Sequence, residues 1–554
     1  MKVKKVPVIN LILIILTIVA SVKVAVCGWI IDEGYAYAIG NRLLQGDLLF
    51  KDMWELHQTS GFAVEFFLWI YNSVAQTREG EILFVRVCGA LIHLAVSVVL
   101  YFALKRHTSK QTAFLLAIIY ANLTPKQLST PEFSNLFNWS QTLVLICADY
   151  LLSSDRGKGD RKMTVLVSIF AGAFLSICVL SYPQSILFAA FVFALLLTGF
   201  KKEPLDFLIP LGVCLISGVL YLANILSYMS FSEFLTTIEK MIYVDSTHAE
   251  GVSKLAGYGR DAAGVVLFTA VFGLLSYFIG KIFKDKKSIV PVSLFLIFLW
   301  KFIHIAFKTD YYPMELTFGG ILFVILIAAI YIAKNKAITG RQDGGFLLIY
   351  GGGSLAAFIT VLIACDQSIY SSAKYLTVGL VAVLAVVLEE DESQKKAITL
   401  AAIIMVILVN IIQLNNPRNK LFNILDSGAR VPYGPEKGLV LERMYANKAR
   451  IDADELPGLL NGADYIMITG DAVTYLYSDA RIGHGTTIMT EDYGIRFNSY
   501  WEMYPEKMPD IIAIECYDEV PNLDVWGSWL YEYAEGDFGA REVVDATYYR
   551  LYIR

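Results

Sequence analysis

The chain has 554 residues, of which 56% are apolar and 18% are charged, and its mean hydropathy is +0.54. Soluble domains carry about a quarter charged residues and fewer than half apolar ones, so the composition excludes an ordinary soluble protein and predicts a membrane protein. The net charge is −5, and residues 415–554 hold 13 Lys/Arg against 23 Asp/Glu. Such an acidic end argues against nucleic acid as a partner, because nucleic acids bind basic surfaces.

Thirteen apolar segments are candidates for transmembrane helices, each of which needs about 20 mostly apolar residues. The third of them is short. In chain order they run over residues 7–30, 82–104, 111–122, 135–153, 163–181, 184–200, 206–228, 261–282, 289–307, 314–333, 345–364, 373–388 and 397–414.

Basic residues in the connections give the orientation, because cytoplasmic loops collect Lys and Arg. With the N-terminus inside, each inner segment holds two to four basic residues, whereas the short outer loops hold only Lys126, Lys308 and Lys374. The pattern predicts a multi-pass protein of the cytoplasmic membrane, divided into a transmembrane domain over 1–414 and a domain over 415–554 on the outer side.

Two outer segments, 31–81 and 229–260, are longer than ordinary connections. The first contains two amphipathic or apolar stretches, 35–44 and 62–71, that suit helices lying in the membrane interface. In the last domain, strand-like runs at 464–469, 510–515 and 548–553 alternate with helix-like patterns near 437–460 and 524–534. This alternation predicts a small α/β domain.

Ionisable residues crowd the outer ends of the helices, where they are costly and usually functional. Lys301, His304 and Lys308 share one helical face by their spacing, which fits either a site for an anion or side chains that reach for the interface. Asp32 and Glu33 follow the first helix directly. They either mark its exit at the surface, or one is a general base while its neighbour positions or binds another group.

Two other polar residues, His93 and Asp149, lie inside predicted helices. No second buried charge lies at a matching depth, so we interpret both as packing contacts. An Asp-Glu pair is able to bind a divalent cation, but no set of ligands is legible, and we predict no metal site.

The first outer segment carries three runs that belong together: Asp32-Glu-Gly-Tyr-Ala-Tyr-Ala-Ile39, Leu43-Leu-Gln-Gly-Asp47 and Asp52-Met-Trp54. They resemble the first periplasmic loop of the GT-C membrane glycosyltransferases, in particular the branch of the protein O-mannosyltransferases and the lipid A aminoarabinose transferase. The resemblance extends to the architecture of about thirteen helices, interfacial helices and an outer α/β domain. It implies transfer of a sugar from a polyprenyl-phosphate donor, with no certain cofactor.

The resemblance also assigns roles to single residues. Asp32 would be the catalytic base that deprotonates the acceptor, with inversion at the sugar carbon, and Glu33 would support it. The loop that meets the substrates would include Tyr35, Asp52, Trp54, and the segment Asp310, Tyr311 and Tyr312, which is similar to a His-Tyr-containing segment of the family.

The chain departs from the family where a lysine usually meets the carrier phosphate. His57 stands at that position in the first loop, and Tyr182-Pro-Gln184 looks like a second family turn without its lysine. The donor phosphate is therefore predicted to bind His57, Arg86, Lys301, His304 and Lys308, because fixed cations stabilise the negative charge that grows on a leaving phosphate.

The sequence thus favours a glycosyltransferase acting at the outer face of the cytoplasmic membrane on a glycan, lipid or protein acceptor. A flippase or transporter of lipid-linked sugar is the first alternative, although it should show polar groups along the whole crossing path. An assembly or sensor protein whose function lies in residues 415–554 is the second.

Overall fold

A computed structural model of the protein describes most of the chain. The described residues are 8–28, 31–55, 57–123, 129–153, 161–245, 251–282, 341–364, 368–390, 428–487, 494–517, 520–521 and 527–554, together with single residues at 322, 325, 326, 329, 332 and 403. Within them, a helical bundle is followed along the chain by a smaller α/β unit.

The bundle consists of helices, and several of its described connections are short turns. Its helices are α1 (Val8–Val26), α2 (Ile31–Leu44), α3 (Gly61–Ala75), α4 (Glu81–Leu104), α5 (Lys110–Asn122), α6 (Phe133–Leu152), α7 (Arg161–Ser181), α8 (Ile186–Gly199), α9 (Leu205–Leu226), α10 (Phe231–Asp245), α11 (Gly251–Ile282), α12 (Arg341–Phe346), α13 (Gly353–Ala364), α14 (Ile369–Ser372) and α15 (Thr377–Glu390). A π-helical turn, Leu347–Gly352, joins α12 to α13, and a 3-10 turn, Ala373–Leu376, leads into α15.

Six helical stretches in the described part of the chain are long and apolar enough to cross a membrane. They are Val8–Val26, Glu81–Leu104, Arg161–Ser181, Leu205–Leu226, Lys254–Ile282 and Gly344–Ile363. The protein is therefore a polytopic membrane protein. The predicted spans 111–122, 135–153, 184–200 and 373–388 are also helical, although shorter or more polar. The predicted spans 289–307, 314–333 and 397–414 fall almost wholly outside the described residues, so the number thirteen stays a prediction.

The bundle buries one large apolar core between its helices. α6 packs on α7, and α7 packs on α9. His93 accepts a hydrogen bond from Trp139 Nε1 at its Nδ1 (3.0 Å), and its Nε2 lies 3.1 Å from the Ala121 carbonyl. Asp149 bonds His107 Nε2 at 2.9 Å beside Arg106. Both side chains thus have polar partners inside the bundle, as expected, although the charged partners of Asp149 were not predicted.

The α/β unit is built on a mixed sheet. Its elements are β1 (Gly428–Arg430), β2 (Val440–Glu442), α16 (Arg443–Leu459), β3 (Tyr465–Ile468), β4 (Arg481–Ile482), α17 (Gly494–Met503), β5 (Ile511–Tyr517), β6 (Val520–Pro521), α18 (Gly527–Glu535), β7 (Glu542–Asp545) and β8 (Tyr549–Ile553). The main sheet has the order β4-β3-β5-β8-β7, with β3 parallel to both β4 and β5 and the remaining pairs antiparallel. The expected strands and helices are thus present.

The α/β unit rests on the end of the bundle where α1 ends and α4 begins. Gly28 N–H, after α1, donates to the Val440 carbonyl at 3.0 Å, and Gly80 N–H, before α4, donates to the Gly434 carbonyl at 3.0 Å. Tyr504 also donates to Glu233 of α10 at 2.8 Å. Both long segments predicted to lie outside therefore meet the α/β unit at one end of the bundle.

Candidate active site

The acid pair of the first loop lies in the first turn of α2. Gly28, with φ of 84°, adopts a left-handed conformation just after α1, which a residue without a Cβ atom does at little cost. Asp32 and Glu33 then occupy positions two and three of α2. Acidic residues are favourable in the first turn of a helix because of the helix dipole.

Glu33 is buried and forms an ion pair with Arg86 of α4. Arg86 Nε lies 2.8 Å from Glu33 Oε1, and Nη2 bonds the second carboxylate oxygen. The same guanidinium donates to the Gly28 carbonyl at 3.0 Å. The pair therefore connects the end of α1 to α2 and α4, and the supporting role expected of Glu33 stays a prediction.

Two hydroxyl groups complete the surroundings of Glu33. Thr130 Oγ1 donates to the carboxylate, and the Tyr37 hydroxyl lies 3.4 Å from Glu33 Oε1 and 3.1 Å from Thr130 Oγ1. Burial, together with the negative charge of Glu33, raises the pKa of Tyr37 well above its usual value. Tyr37 is therefore a neutral hydroxyl at physiological pH.

His57 lies in a column of aromatic rings. Its imidazole stacks on Phe133 with ring centres 3.9 Å apart and on Tyr182 at 5.2 Å. Tyr182 stacks in turn on Phe137 at 5.5 Å, and Phe137 packs against Tyr375 at 5.1 Å. The two places where the sequence lacks the family's lysine, His57 and the turn at Tyr182, thus lie together.

The segment before α6 joins the acid pair to this aromatic column. Thr130 contacts Glu33, and three residues later Phe133 contacts His57. Asn135 Nδ2 donates a hydrogen bond to the Thr130 carbonyl at 2.6 Å. Glu132 caps α6, because its carboxylate accepts the backbone N–H groups of Ser134 and Asn135. Residues 129–135 therefore fix Glu33 and His57 relative to each other.

The other predicted residues of the first loop contact the α/β unit. Asp52 pairs with Lys507 Nζ at 3.1 Å. Trp54 is fully buried, and its ring packs edge-on against Tyr500 at 5.2 Å. Tyr35 is half-buried against the apolar cluster below β3. Their proposed contacts with substrate stay predictions.

Glu55 fastens the same loop to the α/β unit. Its buried carboxylate accepts hydrogen bonds from Thr486 Oγ1 at 2.8 Å, from Thr487 Oγ1 at 2.7 Å and from the Thr487 backbone N–H. The neighbouring Arg42 is enclosed between Asp47 Oδ2 (2.8 Å) and the His484 carbonyl (2.9 Å). The loop that ends at His57 is therefore shaped by residues more than 400 positions away in the chain.

Some predicted site residues lie outside the described part of the chain, and some residues at the site were not predicted from the sequence. Lys301, His304, Lys308, Asp310, Tyr311 and Tyr312 lie outside the described residues. Lys374, by contrast, is only 5% exposed, and its Nζ lies 5.2 Å from the centre of the Tyr375 ring, at the far end of the aromatic column. A single lysine in a short outer loop gives no signal of this position, nor do Thr130 and Phe133.

Among the described residues, no group of three or more His, Cys, Asp or Glu side chains is placed to hold a metal ion.

Comparisons with known proteins find similarity in structure alone, since no protein-family model and no curated protein sequence matches the chain. The oligosaccharyltransferase of Archaeoglobus fulgidus tethered with an acceptor peptide is 13% identical, with a TM-score of 0.47 over 91% of this chain and 69% of that chain. ArnT from Cupriavidus metallidurans bound to undecaprenyl phosphate is 10% identical, with a TM-score of 0.46 over 98% of this chain and 97% of that chain.

Proposed function

We propose that the protein is a glycosyltransferase that moves a sugar from a polyprenyl-phosphate donor to an acceptor at the outer face of the cytoplasmic membrane. Asp32 is the general base of this reaction. One observation carries the proposal: residues 129–135 contact both Glu33, next to Asp32, and His57, at the position where the resembled family meets the carrier phosphate. This contact supports a base for the acceptor and a site for the donor phosphate in one assembly.

The chemistry follows from this arrangement. Asp32 takes the proton of an acceptor hydroxyl as its oxygen forms a bond to the anomeric carbon of the sugar. The bond between that carbon and the phosphate oxygen breaks, and its electron pair stays on the phosphate. Attack from the face opposite to the leaving phosphate inverts the sugar carbon. Glu33, neutralised by Arg86, holds the first turn of α2 in place and adds little net charge near the phosphate.

The leaving polyprenyl phosphate gains one negative charge, which cations in a dry site stabilise. His57 and Lys374 are separate described candidates for this task, because the rings of Tyr182, Phe137 and Tyr375 lie between them. The predicted cations Lys301, His304 and Lys308 are further candidates. The polyprenyl chain would lie among the apolar helices, and the α/β unit would cover the site and hold the first loop.

The test is transfer of labelled sugar from a panel of polyprenyl-phosphate sugars by the purified protein in lipid nanodiscs. Asp32→Asn replaces the carboxylate by an amide of nearly equal shape, and Asp537→Asn changes an exposed carboxylate of the α/β unit as a matched control. We expect the first variant to bind donor and to lose turnover by at least a hundredfold, in line with removal of a general base. The control should transfer sugar like the wild type.

Three results would overturn the proposal. Equal turnover in Asp32→Asn and the wild type would remove Asp32 from the chemistry. Failure of every donor to bind would instead favour a function centred on the α/β unit. Movement of donor across the membrane of sealed liposomes that hold the protein, without transfer, would favour a flippase.

A further inference from the structure

A cleft of about 780 Å³ opens where the connection between α3 and α4 meets the α/β unit. Its walls include Arg78, Glu79, Tyr433, Asp464, Tyr465 and Arg481. The volume lies within the range of small-molecule sites, about 300–1,000 Å³. No step of the proposed reaction uses this cleft.

The walls of the cleft are held in place by the backbone. Gly80 N–H donates to the Gly434 carbonyl at 3.0 Å, and Ile82 N–H donates to the Pro435 carbonyl at 3.3 Å. Lys437 Nζ adds an ion pair with Glu79 Oε2 at 2.7 Å. The cleft is therefore preformed, so a ligand would not need to order its walls.

The lining offers donors and acceptors in near balance. Two guanidinium groups, Arg78 and Arg481, face three carboxylates, Glu79, Asp464 and Asp479. This balance suits neither a strong anion nor a strong cation. It suits a ligand whose groups both donate and accept, as hydroxyl groups do, and the rings of Tyr433 and Tyr465 offer flat apolar surfaces beside them.

Two buried residues behind Arg78 hold its side chain at the wall of the cleft. Arg78 Nη2 donates to Asn41 Oδ1 at 2.8 Å, and Arg78 Nε donates to Glu81 Oε1 at 3.1 Å. Asn41 is 4% exposed and Glu81 is fully buried. The Arg78 guanidinium is therefore fixed at the wall of the cleft.

The cleft and the acid pair lie near opposite ends of α2. Asn41 is nine residues after Asp32 on the same helix, a distance of about 14 Å at the rise of an α-helix. A group bound in the cleft is therefore too far from Asp32 to react there. A chain of several sugar units could occupy the cleft while its end reaches the base.

We propose that this cleft is a remote subsite for an acceptor glycan, which binds sugar units away from the one that receives the transferred sugar. The inference rests on the proposed function for the identity of the ligand as an acceptor. A peptide would use a strand edge for binding by strand addition, but the edge strand at the cleft, β4, has only two residues. A glycan needs no such edge.

The test is binding of the full-length protein in nanodiscs to an array of neutral and acidic oligosaccharides beside an array of peptides. Arg481→Ala removes an exposed guanidinium of the wall, and Ala463→Trp fills the cleft. Arg541→Ala removes an exposed arginine next to β7, at the opposite edge of the sheet. We expect the wild type to bind oligosaccharides. Arg481→Ala should bind about tenfold more weakly, as for loss of one charge-assisted hydrogen bond. Ala463→Trp should not bind, and the control Arg541→Ala should bind like the wild type.

Absence of oligosaccharide binding by the wild type, or binding that Ala463→Trp leaves intact, would overturn the inference. Peptide binding that Ala463→Trp abolishes would overturn it in favour of a protein acceptor. Asp32→Asn separates this inference from the proposed function, since it should leave oligosaccharide binding unchanged while transfer is lost. In the transfer assay, Arg481→Ala should raise the KM for the acceptor and leave donor binding unchanged.

Discussion

Gly34 of α2 and Asp471 of the α/β unit pack so closely that a Cβ atom on residue 34 would collide with the Asp471 carboxylate. Asp471 is also the N-cap of the 3-10 turn Ala472–Tyr477, where its carboxylate accepts the backbone N–H of Val473 at 3.1 Å. Gly34 comes two residues after Asp32. The missing side chain at this position therefore lets the α/β unit rest directly on the turn that carries the candidate base.

Gly34→Ala should separate these surfaces, because the neighbouring atoms include the Val473 backbone as well as a side chain. We expect a loss of about 1–3 kcal/mol in the free energy of unfolding, typical of overpacking, and a lower kcat for sugar transfer. Thermal unfolding and transfer assays in nanodiscs measure both. Gly218→Ala on α9, where an added Cβ meets nothing within 4 Å, is the control and should lose neither. Wild-type behaviour of Gly34→Ala would show that this contact does not matter.

The Glu33–Arg86 pair should show strong coupling. Arg86→Gln leaves the Glu33 carboxylate buried without its counter-charge, which costs about 3–5 kcal/mol in comparable pairs. The double variant Glu33→Gln/Arg86→Gln removes both charges, so we expect it to be more stable than Arg86→Gln alone. Unfolding of the four proteins, including Glu33→Gln, gives the coupling energy. Additive losses would contradict a direct pair.

His57 offers a test that separates packing from donor binding. His57→Phe keeps a flat ring against Phe133 and Tyr182 but removes the ring nitrogens, whereas His57→Ala removes the stack as well. Each aromatic pair contributes about 0.5–1.5 kcal/mol beyond its buried area. We expect both variants to raise the KM for the donor and only His57→Ala to lower the melting temperature. Unchanged donor KM in His57→Phe would assign His57 a packing role alone.

Glu436 should make the stability of the α/β unit depend on pH. Its side chain is buried and accepts a hydrogen bond from Tyr477 at 2.6 Å. Burial, together with the negative charges of Asp471 and Asp452, raises its pKa from 4.5 to about 7, against the opposing effects of the Tyr477 hydrogen bond and of Lys448. The charge of Arg86 also interacts with that of Glu436.

The sign follows from the raised pKa, because the folded state holds this proton more tightly than the unfolded state does. The stability that Glu436 contributes is complete below about pH 4.5 and is lost as the pH rises through about 7. Between pH 6 and 8.5 the melting temperature of the wild type should therefore fall more than that of Glu436→Gln. Glu506→Gln, at an exposed position, should follow the wild type. Parallel curves for wild type and Glu436→Gln would contradict the raised pKa.

Much of the architecture could be predicted from the sequence because it follows from local patterns. Apolar runs between 82 and 104 and between 206 and 228 are helices in the structure, since length and hydropathy decide whether a segment suits a membrane. The strand at 465–468 and the helix that begins at Gly61 follow from equally local patterns. The Asp32-Glu33 pair could be singled out because it directly follows an apolar helix.

The surroundings of that pair could not be predicted in the same way. Thr130 reaches Glu33 across 97 positions, and Glu55 bonds Thr487 across 432, and no periodicity relates residues so far apart. The role of Arg86 as a ligand of the donor phosphate stays a prediction, whereas its ion pair with the buried Glu33 could be found only in the structure. Composition and periodicity determined the helices, the strands and the acid pair; only packing in three dimensions decided which side chains contact it and brought the α/β unit onto α2.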